Sequence, residues 1–92
     1  MAKFTVRVEL HDADSADYDL LHEKMEKSGY NRDIYGSNNK LYRLPTAEYS
    51  CSKIKSASEI RDEVIDIADL IKDDFDVLVT ESASRAWRLS KV

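Results

Sequence analysis

His11, Asp12 and Asp14 place an imidazole and two carboxylates in one short run. These residue types move protons at a phosphodiester or ligate a divalent cation. His11 and Asp12 are therefore the candidate catalytic pair, and the plainer reading is a polar turn in which Asp14 caps a helix. A second set is basic: Arg32, Lys40, Arg43, Lys53 and Lys55. It could hold phosphates or stabilise an anionic transition state, or it could be solvated strand-edge charge that discourages aggregation. The third set is Arg85, Trp87 and Arg88. A cation beside an indole suits stacking on a base or packing of a tail on a partner; Trp87 closing the end of the core is the structural alternative. Cys51 reads as a small buried hydrophobe, and His22, beside Glu23 and Glu26, as a helix-surface residue. No Ser-His-Asp set, Gly-rich phosphate loop or CxxC pair occurs, and no metal or cofactor is expected.

The 92 residues predict a single domain spanning 1–92. One cysteine cannot staple the chain. No apolar run approaches the roughly 18 residues of a membrane span. The opening Met-Ala-Lys-Phe-Thr leads directly into a strand, so no signal peptide, no membrane partner and a cytoplasmic location are expected. Net charge is -4, which argues weakly against non-specific nucleic-acid binding. The charge is unevenly spread. Residues 1–30 carry 4 cations against 7 anions and residues 56–80 carry 2 against 8, whereas residues 31–55 carry 5 against 2 and residues 81–92 carry 3 against 1. A polyanion would respond to that local field.

The elements that must position these groups start from residues 3–11. There Phe4, Val6, Val8 and Leu10 alternate with Thr5, Arg7, Glu9 and His11, the period of a half-buried strand. A helix follows from about Ser15 to Ser28, with Tyr18, Leu21 and Met25 as its apolar stripe and Gly29 as its stop. Residues 30–35 predict a strand and Gly36-Ser37-Asn38-Asn39 a turn. Residues 40–51 predict one bent strand broken at Pro45, with a split into two strands as the alternative. Ser56 and Glu59 form a capping box for a helix carrying Ile60, Val64, Ile67 and Ile71. Residues 75–80 predict a last strand, and Arg85 to Leu89 a short extended tail.

The order β-α-β-β-α-β plus a tail predicts an α+β, ferredoxin-like sandwich: a four-stranded antiparallel sheet with both helices on one face. The expected core is Phe4, Val6, Val8, Leu10, Leu21, Met25, Ile34, Tyr49, Ile60, Val64, Ile67, Ile71, Phe75, Val77 and Val79. The reverse sheet face is expected to stand open, showing Thr5, Arg7, Glu9, Glu48, Ser50, Asp76, Leu78 and Thr80. An RNA-recognition motif would need stacking aromatics on its first and third strands, and these positions carry none unless the register after Pro45 slips and turns Tyr49 outward.

Taken together, Lys3-Phe4-Thr5-Val6-Arg7-Val8-Glu9-Leu10-His11, Leu44-Pro45-Thr46-Ala47-Glu48-Tyr49, Val77-Leu78-Val79-Thr80-Glu81-Ser82 and Arg85-Ala86-Trp87 resemble the GhoS-like family of small bacterial endoribonuclease antitoxins from type V toxin–antitoxin pairs. The resemblance implies a ferredoxin-like domain related in fold to small CRISPR-associated nucleases. It also implies cleavage of a single-stranded messenger RNA that encodes a membrane-acting toxin. An Asp ends the first strand in those relatives, and Asp12 is its nearest counterpart here, offset along the chain. Arg7, Arg32 and Arg43 become phosphate contacts in this reading, with His11 or Asp12 assisting proton transfer. The competing expectation is a non-catalytic protein-interaction or RNA-binding module, forming a homodimer through the open sheet face or the tail.

Overall fold

Strict alternation in β1 (Ala2–Leu10) drives Phe4, Val6 and Val8 to complete burial, in a computed structural model that describes residues 1–92. β1 is the central strand of an antiparallel sheet, between β4 (Glu48–Lys53) and β5 (Phe75–Glu81). Phe4 faces Cys51 and Val6 faces Tyr49 on one side, while Val6 faces Val79 and Val8 faces Val77 on the other. This register turns Tyr49 inward, where it is fully buried.

Helix α1 (Ser15–Lys27) starts at Asp14, whose carboxylate accepts the Asp17 N–H at 2.9 Å while the Asp17 carboxylate accepts the Asp14 N–H at 3.2 Å. Gly29, at φ +89°, takes the left-handed conformation just past its end. Helix α2 (Ala57–Asp69) carries the expected reciprocal cap between Ser56 and Glu59. Leu21 and Met25 of α1 and Ile60, Val64, Ile67 and Ala68 of α2 join the inward side chains of β1 in one cluster of 13 buried residues. Each large apolar side chain buried there contributes about 1.5–3 kcal/mol. Ile71, Phe75, Val77 and Val79, expected in the core, are only half-buried at its margin. Neither helix is long and apolar enough to cross a membrane.

The expected four-stranded ferredoxin-like sheet does not form. The order is β-α-β-β-β-α-β, with a three-stranded sheet β4-β1-β5 and a separate two-stranded hairpin of β2 (Asp33–Tyr35) and β3 (Leu41–Arg43). The chain splits into two strands at Pro45 and does not run through it as one bent strand. Pro45 offers no N–H to a ladder, and Ala47 sits at φ +73°, so the chain kinks between β3 and β4. The segment before β2 meets the sheet at one bridge only, Asn31 with Ser50.

The reverse face of the sheet is also not fully open. Beyond β5 the tail turns back across it, with the Ser82 hydroxyl 3.3 Å from that of Thr5. The tail ends along β3, where Arg43 N–H donates to Ser90 and Val92 N–H donates to Leu41, both at 3.0 Å. Ile34 and Leu44 are buried outside the main cluster and line the same cleft as Thr5, Trp87 and Leu89. Ile34 thus belongs to a small second core on the face expected to be bare. The β5 half of that face, with Asp76, Leu78 and Thr80, stays exposed.

Candidate nucleic-acid interface

The hairpin turn is built for close approach. Asn39 adopts φ +61°, and the Asn38 side-chain oxygen accepts the Lys40 N–H at 3.1 Å. The Asn38 amide also donates to the Tyr42 hydroxyl at 2.9 Å. A Cβ on Gly36 would lie 2.9 Å from the Tyr42 ring, so only glycine lets that ring pass. The tail brings Trp87 edge-on to Tyr42, with ring centroids 6.3 Å apart. A cleft of about 440 Å³ opens there, lined chiefly by Gly36, Asn38, Tyr42, Arg85 and Trp87. Tyr35, on the same hairpin, is 68% exposed and Trp87 is 39% exposed.

Arg85 is the anchor of this arrangement. Its guanidinium donates to the hydroxyls of Ser82 and Ser50 at 3.1 and 2.9 Å and to the Phe4 carbonyl at 3.1 Å. Its charge lies at the cleft while most of its donors hold the tail on the sheet. Lys40 is exposed in the hairpin turn and Arg88 is exposed on the tail. Arg43, half-exposed, pairs through Nε with Asp33 across the hairpin. Arg32 is partly buried, and its Nε is enclosed without a hydrogen-bond partner. Hairpin and tail therefore bring Tyr42, Arg85 and Trp87 to one cleft, with Lys40 and Arg88 exposed on the same two segments. Arg43 alternates with Tyr42 along β3 and lies on the other face of the hairpin, where its charge reaches His22. Lys53 and Lys55 are not part of this group: both donate to Glu63, at 2.6 and 2.5 Å.

The remaining predicted residues lie elsewhere. Arg7 sits mid-strand on the reverse face, 3.8 Å from Glu9, with both side chains mostly exposed. His11 and Asp12 follow β1 at the end opposite the Arg85 anchor, a strand distance of about 20 Å from Thr5 at roughly 3.3 Å per residue. Asp12 occupies the left-handed region at φ +52°, in the turn that leads to α1. His11 Nε2 is 3.0 Å from an Asp76 carboxylate oxygen, and that hydrogen bond raises its pKa, helped by the charges of Asp74, Asp76 and Glu9. The neighbourhood of His11 is thus anionic. His11, Asp12 and Asp14 do not converge as a set of metal ligands.

Two functional-looking groups differ from the expectation or escaped it. His22 is not a surface residue: it is buried, and its Nδ1 lies 2.6 Å from the Tyr49 hydroxyl. Burial lowers its pKa, and the charge of Arg32 adds to the effect. Its place four residues after Tyr18 and one after Leu21 put it at the edge of the apolar stripe, a signal the sequence did contain. Tyr42 carries no local signal of its role, because nothing near it in the chain announces that a tail residue 45 positions later will pack against it.

No protein-family model matches this chain, and no curated protein matches it.

Proposed function

We propose that this protein binds single-stranded RNA across the hairpin and tail, and that the ligand is a toxin transcript, as the resemblance to the GhoS-like antitoxins implies. The observation that carries the reading is the Tyr42–Trp87 edge beside the cleft that Arg85 lines, with Lys40 and Arg88 exposed on the same hairpin and tail. Aromatic faces stack on any base, and a cationic rim tracks the phosphates. Residues 81–92 of the tail carry 3 cations against 1 anion, opposite in sign to the two segments that hold the helices.

Cleavage of that RNA is the second reading, and the His11–Asp76 pair at 3.0 Å favours it. A protonated imidazole steadied by a carboxylate can hand a proton to a leaving oxygen. Against it stand Glu9, Asp74 and Asp76, whose charges repel a phosphodiester, and the distance from the cationic side. Binding is the function the geometry supports best.

The test is affinity for a short fluorescent single-stranded RNA, drawn from candidate toxin transcripts, over a salt series. Affinity should fall steeply with salt, and Trp87→Ala should weaken it about tenfold, the scale of one lost stacking contact. No measurable affinity at low salt overturns the reading. Product formation with and without magnesium, abolished by His11→Ala, would instead establish the endoribonuclease.

A further inference from the structure

The two edges of the main sheet are treated differently. The outer edge of β4 is capped by Asn31, which exchanges backbone hydrogen bonds with Ser50 at 2.8 and 2.7 Å. The outer edge of β5 has no strand beside it. Exposed edges are commonly guarded by charged side chains, above all Lys, by Pro or by a bulge; Asp76 and Glu81 are the charges this strand carries. Phe75-Asp76-Val77-Leu78-Val79-Thr80-Glu81 has neither Lys nor Pro, and its register with β1 runs unbroken. Leu78 is 64% exposed on one side of it, and Phe75, Val77 and Val79 are half-buried on the other.

We propose that the free edge of β5 pairs antiparallel with β5 of a second copy of this chain, about a two-fold axis through Leu78. The phase of the ladder sets which backbone groups are available. His11 N–H donates to the Asp74 carbonyl at 3.1 Å and Ser82 N–H donates to the Lys3 carbonyl at 2.8 Å. Even-numbered residues from 74 to 82 therefore turn their backbone groups toward β1, and Phe75, Val77, Val79 and Glu81 turn theirs outward.

Pleating allows only registers in which residues sharing a sheet face meet. The axis through Leu78 is the one that uses all four outward residues. Val77 meets Val79 of the second copy, Phe75 meets Glu81, Asp76 meets Thr80, and Leu78 meets Leu78. No like charges stand opposite one another. An axis through Val77 would set Glu81 against Asp73 of the second copy, and one through Val79 would set Phe75 against Ala83, which lies beyond the strand. A strand whose outward residues meet one another without like charges opposed is self-complementary, and charge and register leave a second copy one alignment. The groove of about 350 Å³ along this edge, lined by Ala57, Ser58, Arg61, Val77, Leu78 and Val79, gives room for the approaching strand. The pairing lies away from the hairpin and tail, so it stands independently of the RNA reading.

Sedimentation equilibrium of the full chain from about 1 μM to about 1 mM tests it. A reversible monomer–dimer equilibrium is expected. Leu78→Lys sets two cations face to face at an exposed position and should raise the dissociation constant about tenfold or more. Val79→Pro removes an outward N–H without removing a bond to β1 and should act in the same direction. Leu78→Cys should oxidise to a covalent dimer, because facing residues of a non-hydrogen-bonded pair lie about 4.5 Å apart at Cα, within disulfide reach. Thr80→Cys should not. Circular dichroism of each variant checks that the monomer is folded. A wild-type chain that stays monomeric throughout, or a dimer indifferent to Leu78→Lys, overturns the proposal.

Discussion

The two faces of β1 are covered in opposite ways. On one, Phe4, Val6 and Val8 are sealed by two helices whose contribution is apolar area. On the other, Thr5 and its neighbours are crossed by a tail held through one arginine, two serine hydroxyls and a backbone carbonyl. Apolar burial scales with area and is shared among many side chains. A polar strap concentrates its hold in a few directional contacts worth about 1 kcal/mol each. The first face should open only when the whole domain unfolds, whereas the second should open locally.

The strongest way to break this contrast is in the core. Phe4→Ala should cost about 3–5 kcal/mol in urea unfolding, by lost burial plus a cavity. If it cost no more than a tail substitution, the contrast would be wrong. Next is Glu63 of α2, a polar hub on the helix-covered side: Tyr30 donates to it at 2.8 Å, Lys53 at 2.6 Å and Lys55 at 2.5 Å. Burial alone would raise its pKa, but the bonds from Lys53, Lys55 and Tyr30 outweigh that and hold it at about 2. A carboxylate depressed in the folded state contributes stability that is fully present above its unfolded value of 4.5 and is lost as pH falls toward about 2. Glu63→Gln should destabilise at neutral pH by about 1–3 kcal/mol and flatten the stability profile below pH 4.5.

Arg85→Ala sharpens the comparison from the other side. It removes three of the strap's contacts and should lower global stability by no more than about 1–3 kcal/mol while releasing the tail, seen as faster amide exchange at 84–92 and red-shifted Trp87 emission. The smallest effect belongs to the acidic end. His11 has its pKa raised by Asp76, so what that contact contributes is present below 6.5 and lost as pH rises through the folded value. Asp76→Asn should move the His11 titration, followed by NMR, back toward 6.5 while leaving the unfolding midpoint at pH 8 unchanged.

The same division marks what the sequence disclosed. Alternation in β1, the stripe Leu21–Met25, the Ser56–Glu59 cap and the inward turn of Tyr49 are local signals, and each is present in the fold. The sheet's true strand count was not legible. Residues 30–35 carry strand character, yet nothing nearby says whether they join β4 or fold back onto β3. The covered reverse face was equally hidden, because Arg85 reaches Ser50 and Phe4 across sequence separations of 35 and 81 residues. The types and spacing of Arg85 and Trp87 suit contact with a ligand, but the fold gives Arg85 a second task, holding the tail on the sheet, that their spacing does not reveal.

The central claim is that the strapped face, and not the acidic end of β1, meets RNA. The most direct measurement is a titration of the 15N-labelled protein with a short single-stranded RNA, followed by chemical shifts. The account predicts that the Trp87 indole N–H and the amides of residues 36–43 and 85–88 move first and saturate together. Shifts confined to His11, Asp12 and Asp76, with Trp87 unmoved, would contradict it.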